Sequence, residues 1–335
     1  MSTPRENFLC LMRNDNPKWL GDPWSCYVQG TPFRPITIDA ITMILGGPTP
    51  GQYGVKNAFG ITMDWPEGQA GSVPNITDEN RVVKDITHWQ DYVQLPDISN
   101  APWHIVEEAI KDADRENYLL MAGSFTGMFE FSHYMLGFED ALVSYLEEPE
   151  HMYDMLSYYT DWKIKCVEHV IDRMKPDILH SHDDWGNKRS LFLSPKTWRE
   201  LIKPHYERFY GYVKSRGVLI QHHADCVSHE VAEDMVDLGI DMWQGVIPQN
   251  DIKGVIERTE SKLCIMGGID MALIDFPEPD EAAIRAEVRR AIDTYMPLGS
   301  FIPCVPNIIP MYPQVAEILN DELNSYGAEY AAKHF

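Results

Sequence analysis

The chain has 335 residues, 44% of them apolar and 24% charged, with a formal net charge of −23. That length can bury a large core, as one barrel-sized domain or two smaller ones. A surface this acidic repels phosphate backbones and anionic lipids, so nucleic-acid and membrane binding are not expected. No window approaches ~20 uninterrupted apolar residues, and the opening MSTPRENFLC lacks the charged-then-apolar layout of a secretion signal. A cytoplasmic protein is therefore expected, with its six cysteines present as thiols.

Residues 1–100 are rich in proline and glycine and weakly periodic, and the stretches 46–54 and 66–75 read as loops. From residue 102 the pattern changes. Short apolar runs at 118–123, 177–182, 218–223, 240–245, 263–268 and 300–305 each have the length of a buried parallel strand. Helical stretches lie between them. One starts at Ser194-Pro195, carries Trp198, Leu201, Ile202, Tyr206, Phe209 and Val213 on one face, and stops near Gly217. Others are predicted near 229–238, 280–296 and 312–325. Repeated strand-then-helix units imply a parallel sheet with helices outside. The expected fold is α/β, a (β/α)8 TIM barrel with an N-terminal extension. It is read as a single domain over 1–335, with 1–100 holding the extension and first barrel elements and 101–335 the regular repeats. An open doubly wound sheet is the alternative, but no G-x-G-x-x-G follows a strand.

Barrel enzymes work at the C-terminal ends of their strands. Those ends carry Ser124, Phe125, Phe129 and Glu130, then His180, His182, Asp183 and Asp184, then His222, His223, Asp225 and Cys226, then Gln244, Asp270 and Cys304. Such a crowd of ionisable groups predicts an enzyme. In extended backbone, residues i and i+2 face the same way, so His223 and Asp225 are expected to share a metal ion with Cys304 from across the mouth. Mixed N, O and S donors suit zinc, with a fourth position open. His222, Cys226 and Glu130 are competing ligands. Three consecutive titratable groups at 182–184 point to acid–base work, with His182, Asp184 and Glu130 the catalytic candidates. Phe125, Phe129, Trp185 and Trp243 are the candidates for an aromatic substrate pocket.

At these residues the sequence resembles a known superfamily. The segment HDDWGNKRSLFLSPKTWRELIKPHYERFYGYVKSRG (182–217), the opening TPREN (3–7), GSFTGMFEFSHYMLGFEDAL (123–142) and GGID (267–270) are similar to uroporphyrinogen decarboxylase-like proteins. The resemblance implies the barrel and one of two activities, metal-free porphyrinogen decarboxylation or zinc-dependent methyl transfer with corrinoids. The decarboxylases carry an arginine-rich N-terminal signature that grips a polyanion, and arginine is sparse through 14–80 here. Methyltransferases acting on coenzyme M have His-x-Cys and a later Cys. His223 and Cys304 match two of these ligands, and Asp225 stands where the first Cys would. Fewer thiolates leave a more electrophilic zinc, suited to an oxygen substrate. The resemblance thus implies a methyltransferase component of an O-demethylase. It would move methyl from an aryl methyl ether to the Co(I) corrinoid (cobalamin) of a corrinoid-binding partner protein. Methyl transfer to a thiol or from another donor, and decarboxylation, are the alternatives.

Overall fold

The computed structural model describes residues 2–31, 34–35, 37–39, 45–69, 71–307 and 312–335. Seven strands form one parallel sheet in chain order: β1 (Thr37–Asp39), β2 (Met121–Ser124), β3 (Ile178–His182), β4 (Leu219–His223), β5 (Met242–Val246), β6 (Cys264–Gly268) and β7 (Phe301–Cys304). Each predicted apolar run after residue 102 overlaps one of these strands, with β2 and β5 each reaching one residue past its run. β2 to β7 are buried along nearly their whole length, the burial that helices on one face and a filled interior on the other require. The fold is a (β/α)8 barrel with an N-terminal extension. Inside it, the Gln221 amide of β4 donates towards Met266 Sδ of β6, two strands away, at 3.4 Å, and to the Tyr27 hydroxyl at 3.3 Å. Tyr27 itself makes a parallel bridge to Leu119 just before β2.

The extension contains the helix Pro4–Met12 and a small antiparallel sheet of Val55–Lys56, Thr62–Asp64 and Val73–Pro74. The helix explains the TPREN string. Thr3 and Glu6 form a reciprocal capping box, and Arg5 pairs with Asp177 at 2.7 Å. Asp177 also accepts from Leu120 N, so this pair fastens the first helix to the foot of the barrel.

Two helix boundaries differ from expectation. The helix predicted from Ser194 to Gly217 is two, Pro195–Leu201 and Lys203–Ser215, broken at Ile202. Pro204 lacks an N–H and its ring clashes with a carbonyl one turn back, which stops a continuous helix there. The last helix runs Pro313–His334 rather than ending near 325. Gly327 sits inside it against the Leu20 carbonyl, where a Cβ would lie 2.6 Å from that oxygen. All six cysteines are free, and among the described residues no helix is long and apolar enough to cross a membrane.

Candidate metal centre

The centre is built where β3, β4 and β5 end. Their register sets His182 beside His223 and His223 beside Gln244, so three polar side chains form one row across neighbouring strands. The rings of His182 and His223 stack at 4.6 Å with 14° between planes. Strand alternation turns His222 the other way, where it bonds the Tyr210 hydroxyl and stacks on Trp185.

Both imidazoles are oriented by a partner on Nδ1. His223 Nδ1 meets Gln244 Oε1 at 2.5 Å, and Gln244 Nε2 donates to the Pro306 carbonyl at 2.7 Å. The second contact fixes which end of the amide faces the ring. His223 therefore carries its proton on Nδ1 and a lone pair on Nε2. Gly245 makes room for this ring: its φ is +92°, and a Cβ there would stand 2.9 Å from His223 Cε1. His182 Nδ1 lies 2.9 Å from Glu130 Oε1, and its Nε2 faces Asp184 Oδ2 at 3.9 Å.

The donor atoms of His182, Asp184 and His223 lie within 4.8 Å of one another. Ligands around a tetrahedral zinc stand roughly 3.3 Å apart, so small side-chain rotations close this trio on one ion. Two imidazole nitrogens and a carboxylate are zinc ligands by type, and three protein ligands leave a position for substrate.

The electrostatics agree with such a site. Burial alone would lower His182, but Glu130, Asp184 and Asp183 outweigh it and raise the imidazole to about 10. Burial and the charge on His182 hold His223 down at about 4. Burial, with Asp225 and Glu130, lifts Asp184 to about 7 against the pull of His182. At Glu130 burial is outweighed by His182 and the Gly127 N–H, and its pKa falls. At neutral pH, His182 thus bears a proton on the atom that would face the ion, and His223 does not.

The structure brings together three of the expected residues, His182, Asp184 and Glu130, with His223. Asp225 and Cys304 are not in the close trio. β4 ends at His223, so the two-residue alternation stops before Asp225, whose N–H instead donates to Asp184 Oδ1 at 3.0 Å. Cys304 is buried, and its thiol contacts the Gln244 side chain. Of the competing ligands, Cys226 is buried 3.1 Å from the Ser228 hydroxyl. Among the aromatic candidates, half-buried Phe125 presents its ring edge-on to His182 at 6.2 Å. Phe129, Trp185 and Trp243 are almost wholly buried. Phe129 stacks on Tyr145 and Phe192, Trp185 packs against Trp198 and His222, and Trp243 donates to the Ala224 carbonyl. Their place is packing behind the centre. Gln244 has no role assigned by the sequence, since its importance appears only once β5 is in register with β4.

No curated protein sequence matches the chain. Its fold is similar to that of a methyltransferase from Methanosarcina mazei, with a TM-score of 0.69 at 15% identity, covering 97% of this chain and 99% of that one. A dihydropteroate synthase from Xanthomonas albilineans gives a TM-score of 0.30 at 13% identity over 43% of this chain and 52% of that one. A sugar phosphate isomerase/epimerase from Parabacteroides distasonis gives 0.33 at 9% identity over 72% and 81%. These last two share too little of the shape to bear on function. The uroporphyrinogen decarboxylase (URO-D) family pattern matches residues 28–302, most of the chain, and the chain belongs to that family.

Proposed function

We propose that this chain is a zinc-dependent methyltransferase that demethylates an aryl methyl ether and delivers the methyl group to the Co(I) corrinoid of a partner protein. The carrying observation is the convergence of His182, Asp184 and His223 at the barrel mouth, each with one donor atom within 4.8 Å of the others. The description of the similarly folded Methanosarcina mazei protein as a methyltransferase supports the reaction class. Zinc held there would supply a Lewis acid for the ether oxygen.

The remaining work falls to the protein's own groups. Gln244 and Glu130 aim the two imidazoles. Phe125 offers an aromatic edge beside His182. Cleavage leaves the electron pair of the methyl carbon–oxygen bond on a phenolate. A phenol has a pKa of about 10, so this oxygen leaves far more readily than an alkoxide. As a metal ligand, Asp184 must give up the proton that burial favours on it, so the phenolate takes its proton from water after it leaves.

A second ligand set is favoured by one contact. The Gln244 side chain touches both His223 Nδ1 and the Cys304 thiol, so the ligand set His223, Asp225 and Cys304 is the second reading. If no metal binds, His182 stays a cation beside the mouth, and decarboxylation of an acid is the reading that remains.

The test is metal content by mass spectrometry, with methylcobalamin formation from cob(I)alamin and a methoxyphenol followed by absorbance. Stoichiometric zinc and methylcobalamin are expected. Loss of zinc in His182→Ala selects the first ligand set, and loss in Cys304→Ala with retention in His182→Ala selects the second. No metal in the wild type ends the proposal.

A further inference from the structure

His182 and Asp184 face the centre, and the residue between them faces away. Asp183 is fully buried and spends both oxygens on the neighbouring βα unit. Its Oδ2 accepts from Phe129 N at 3.0 Å, Trp185 Nε1 at 2.8 Å and the Tyr206 hydroxyl at 2.7 Å. Its Oδ1 accepts from Glu130 N at 2.9 Å. We propose that Asp183 is a positioning residue that acts from behind the centre. It fixes the first turn of the helix Met128–Leu136, and through Glu130 it sets the direction of the His182 ring.

Every atom of the link is accounted for. Free N–H groups at a helix start attract a carboxylate, and here the carboxylate comes from another strand rather than from the helix's own cap. The close approach requires glycine at 127, where a Cβ would lie 2.1 Å from both Cβ and Cγ of Asp183. Tyr206 braces the same turn by accepting from Met128 N at 3.3 Å. The chain just before it is held as firmly. Lys163 donates to the carbonyls of Phe125 at 2.9 Å and Thr126 at 3.0 Å, and the Tyr159 hydroxyl donates to Thr126 at 2.8 Å. Glu130 then returns one oxygen to Gly127 N at 3.1 Å and offers the other to His182 Nδ1. With its own N–H on Asp183 and one oxygen on Gly127, the Glu130 carboxylate has one place left to aim. The proposal rests on the reading of His182 as part of the functional site.

Asp183→Asn isolates the effect. With its nitrogen in the Oδ1 position, the amide oxygen still serves the three donors at Oδ2, and only Glu130 N loses its acceptor. The probe is the low-field proton on His182 Nδ1, observed by NMR in metal-free protein labelled with 15N-histidine and assigned by its loss in His182→Gln. Cobalt(II) affinity is measured in parallel. In Asp183→Asn the resonance is expected to move upfield or broaden, and cobalt affinity to fall about tenfold, the usual effect of losing an outer partner of a metal ligand. Asp177→Asn, a carboxylate at the opposite end of the barrel, is the control. It is expected to lower the melting temperature and leave the resonance in place. If Asp183→Asn does not fold, Tyr206→Phe is expected to shift the same resonance by less. An unmoved resonance in a folded variant, with melting lowered as in the control, makes Asp183 merely structural and overturns the proposal. The resonance is read without metal, so a wild type that fails to bind cobalt refutes the metal centre while the resonance still decides the role of Asp183.

Discussion

If His182 is a ligand, metal binding must expel the proton that Glu130 and Asp184 hold on it. With its pKa at about 10, the imidazole is protonated at pH 7. Three pH units at about 1.4 kcal/mol each give about 4 kcal/mol, or about a thousandfold in apparent affinity. That is an upper value, because the side chain is 30% exposed and water screens its partners. Affinity should therefore rise about tenfold per pH unit between pH 7 and 10. Below about 7, Asp184 takes up a proton as well and the dependence steepens. His223, at about 4, adds nothing in this range. Glu130→Gln removes the strongest influence holding the proton, so the variant should release less than one proton per metal at pH 8 and show a flatter profile. The assay is cobalt or zinc titration from pH 6 to 9.5, with proton release read by calorimetry in two buffers of different ionisation enthalpy. Flat affinity and no proton release in the wild type would refute the assignment of His182. A pH dependence untouched by Glu130→Gln would mean that the proton comes from another group.

Other outcomes follow from the same geometry. Gln244→Leu frees the His223 ring to flip and change tautomer, and should weaken metal binding by about 10- to 100-fold, as read by competition with a chromophoric chelator, while the unpaired Pro306 carbonyl lowers the melting temperature. In chelated protein, the raised pKa of His182 stabilises the fold fully below about 6.5, and that contribution is lost as pH rises to about 10. The metal-free melting temperature should fall from pH 7 to 10, and a rise over that range would contradict the environment assigned to His182. Among the described residues, Glu130 and Asp184 pair with His182, and neither they nor Asp183 nor Asp225 pairs with a lysine or arginine. A methoxyphenol bearing a carboxylate should thus bind more weakly than its neutral parent in equilibrium dialysis, and tighter binding would show a lysine or arginine reaching the mouth.

What was legible in the sequence was the part fixed by local pattern. Six apolar runs marked six strands, because a strand buried on both faces leaves an uninterrupted apolar string. Their last residues marked the mouth, and His182, Asp184, Glu130 and His223 do meet there. The differences lie where the local rule stops. Strand alternation pairs Asp225 with His223, but the strand ends at His223, two residues before Asp225. Over 194–217 the spacing marks the apolar face, while the break comes from Pro204, which the spacing does not register. Residue type says that Phe129, Trp185 and Trp243 are aromatic, not that the helix layer covers them. Asp183 looks like its two neighbours in sequence, and only the turn of the strand separates an anchor from two residues of the centre. Gln244 is an ordinary polar residue until the register of β5 on β4 brings it to His223.

One metal ion on His223 at the barrel mouth is the centre of the proposed chemistry. Its presence there is tested most directly by loading the purified protein with zinc, removing the excess, and counting zinc per chain in the wild type and in His223→Ala. About one zinc per chain in the wild type and none in the variant is expected. Zinc absent from the wild type, or equal in both, would contradict it.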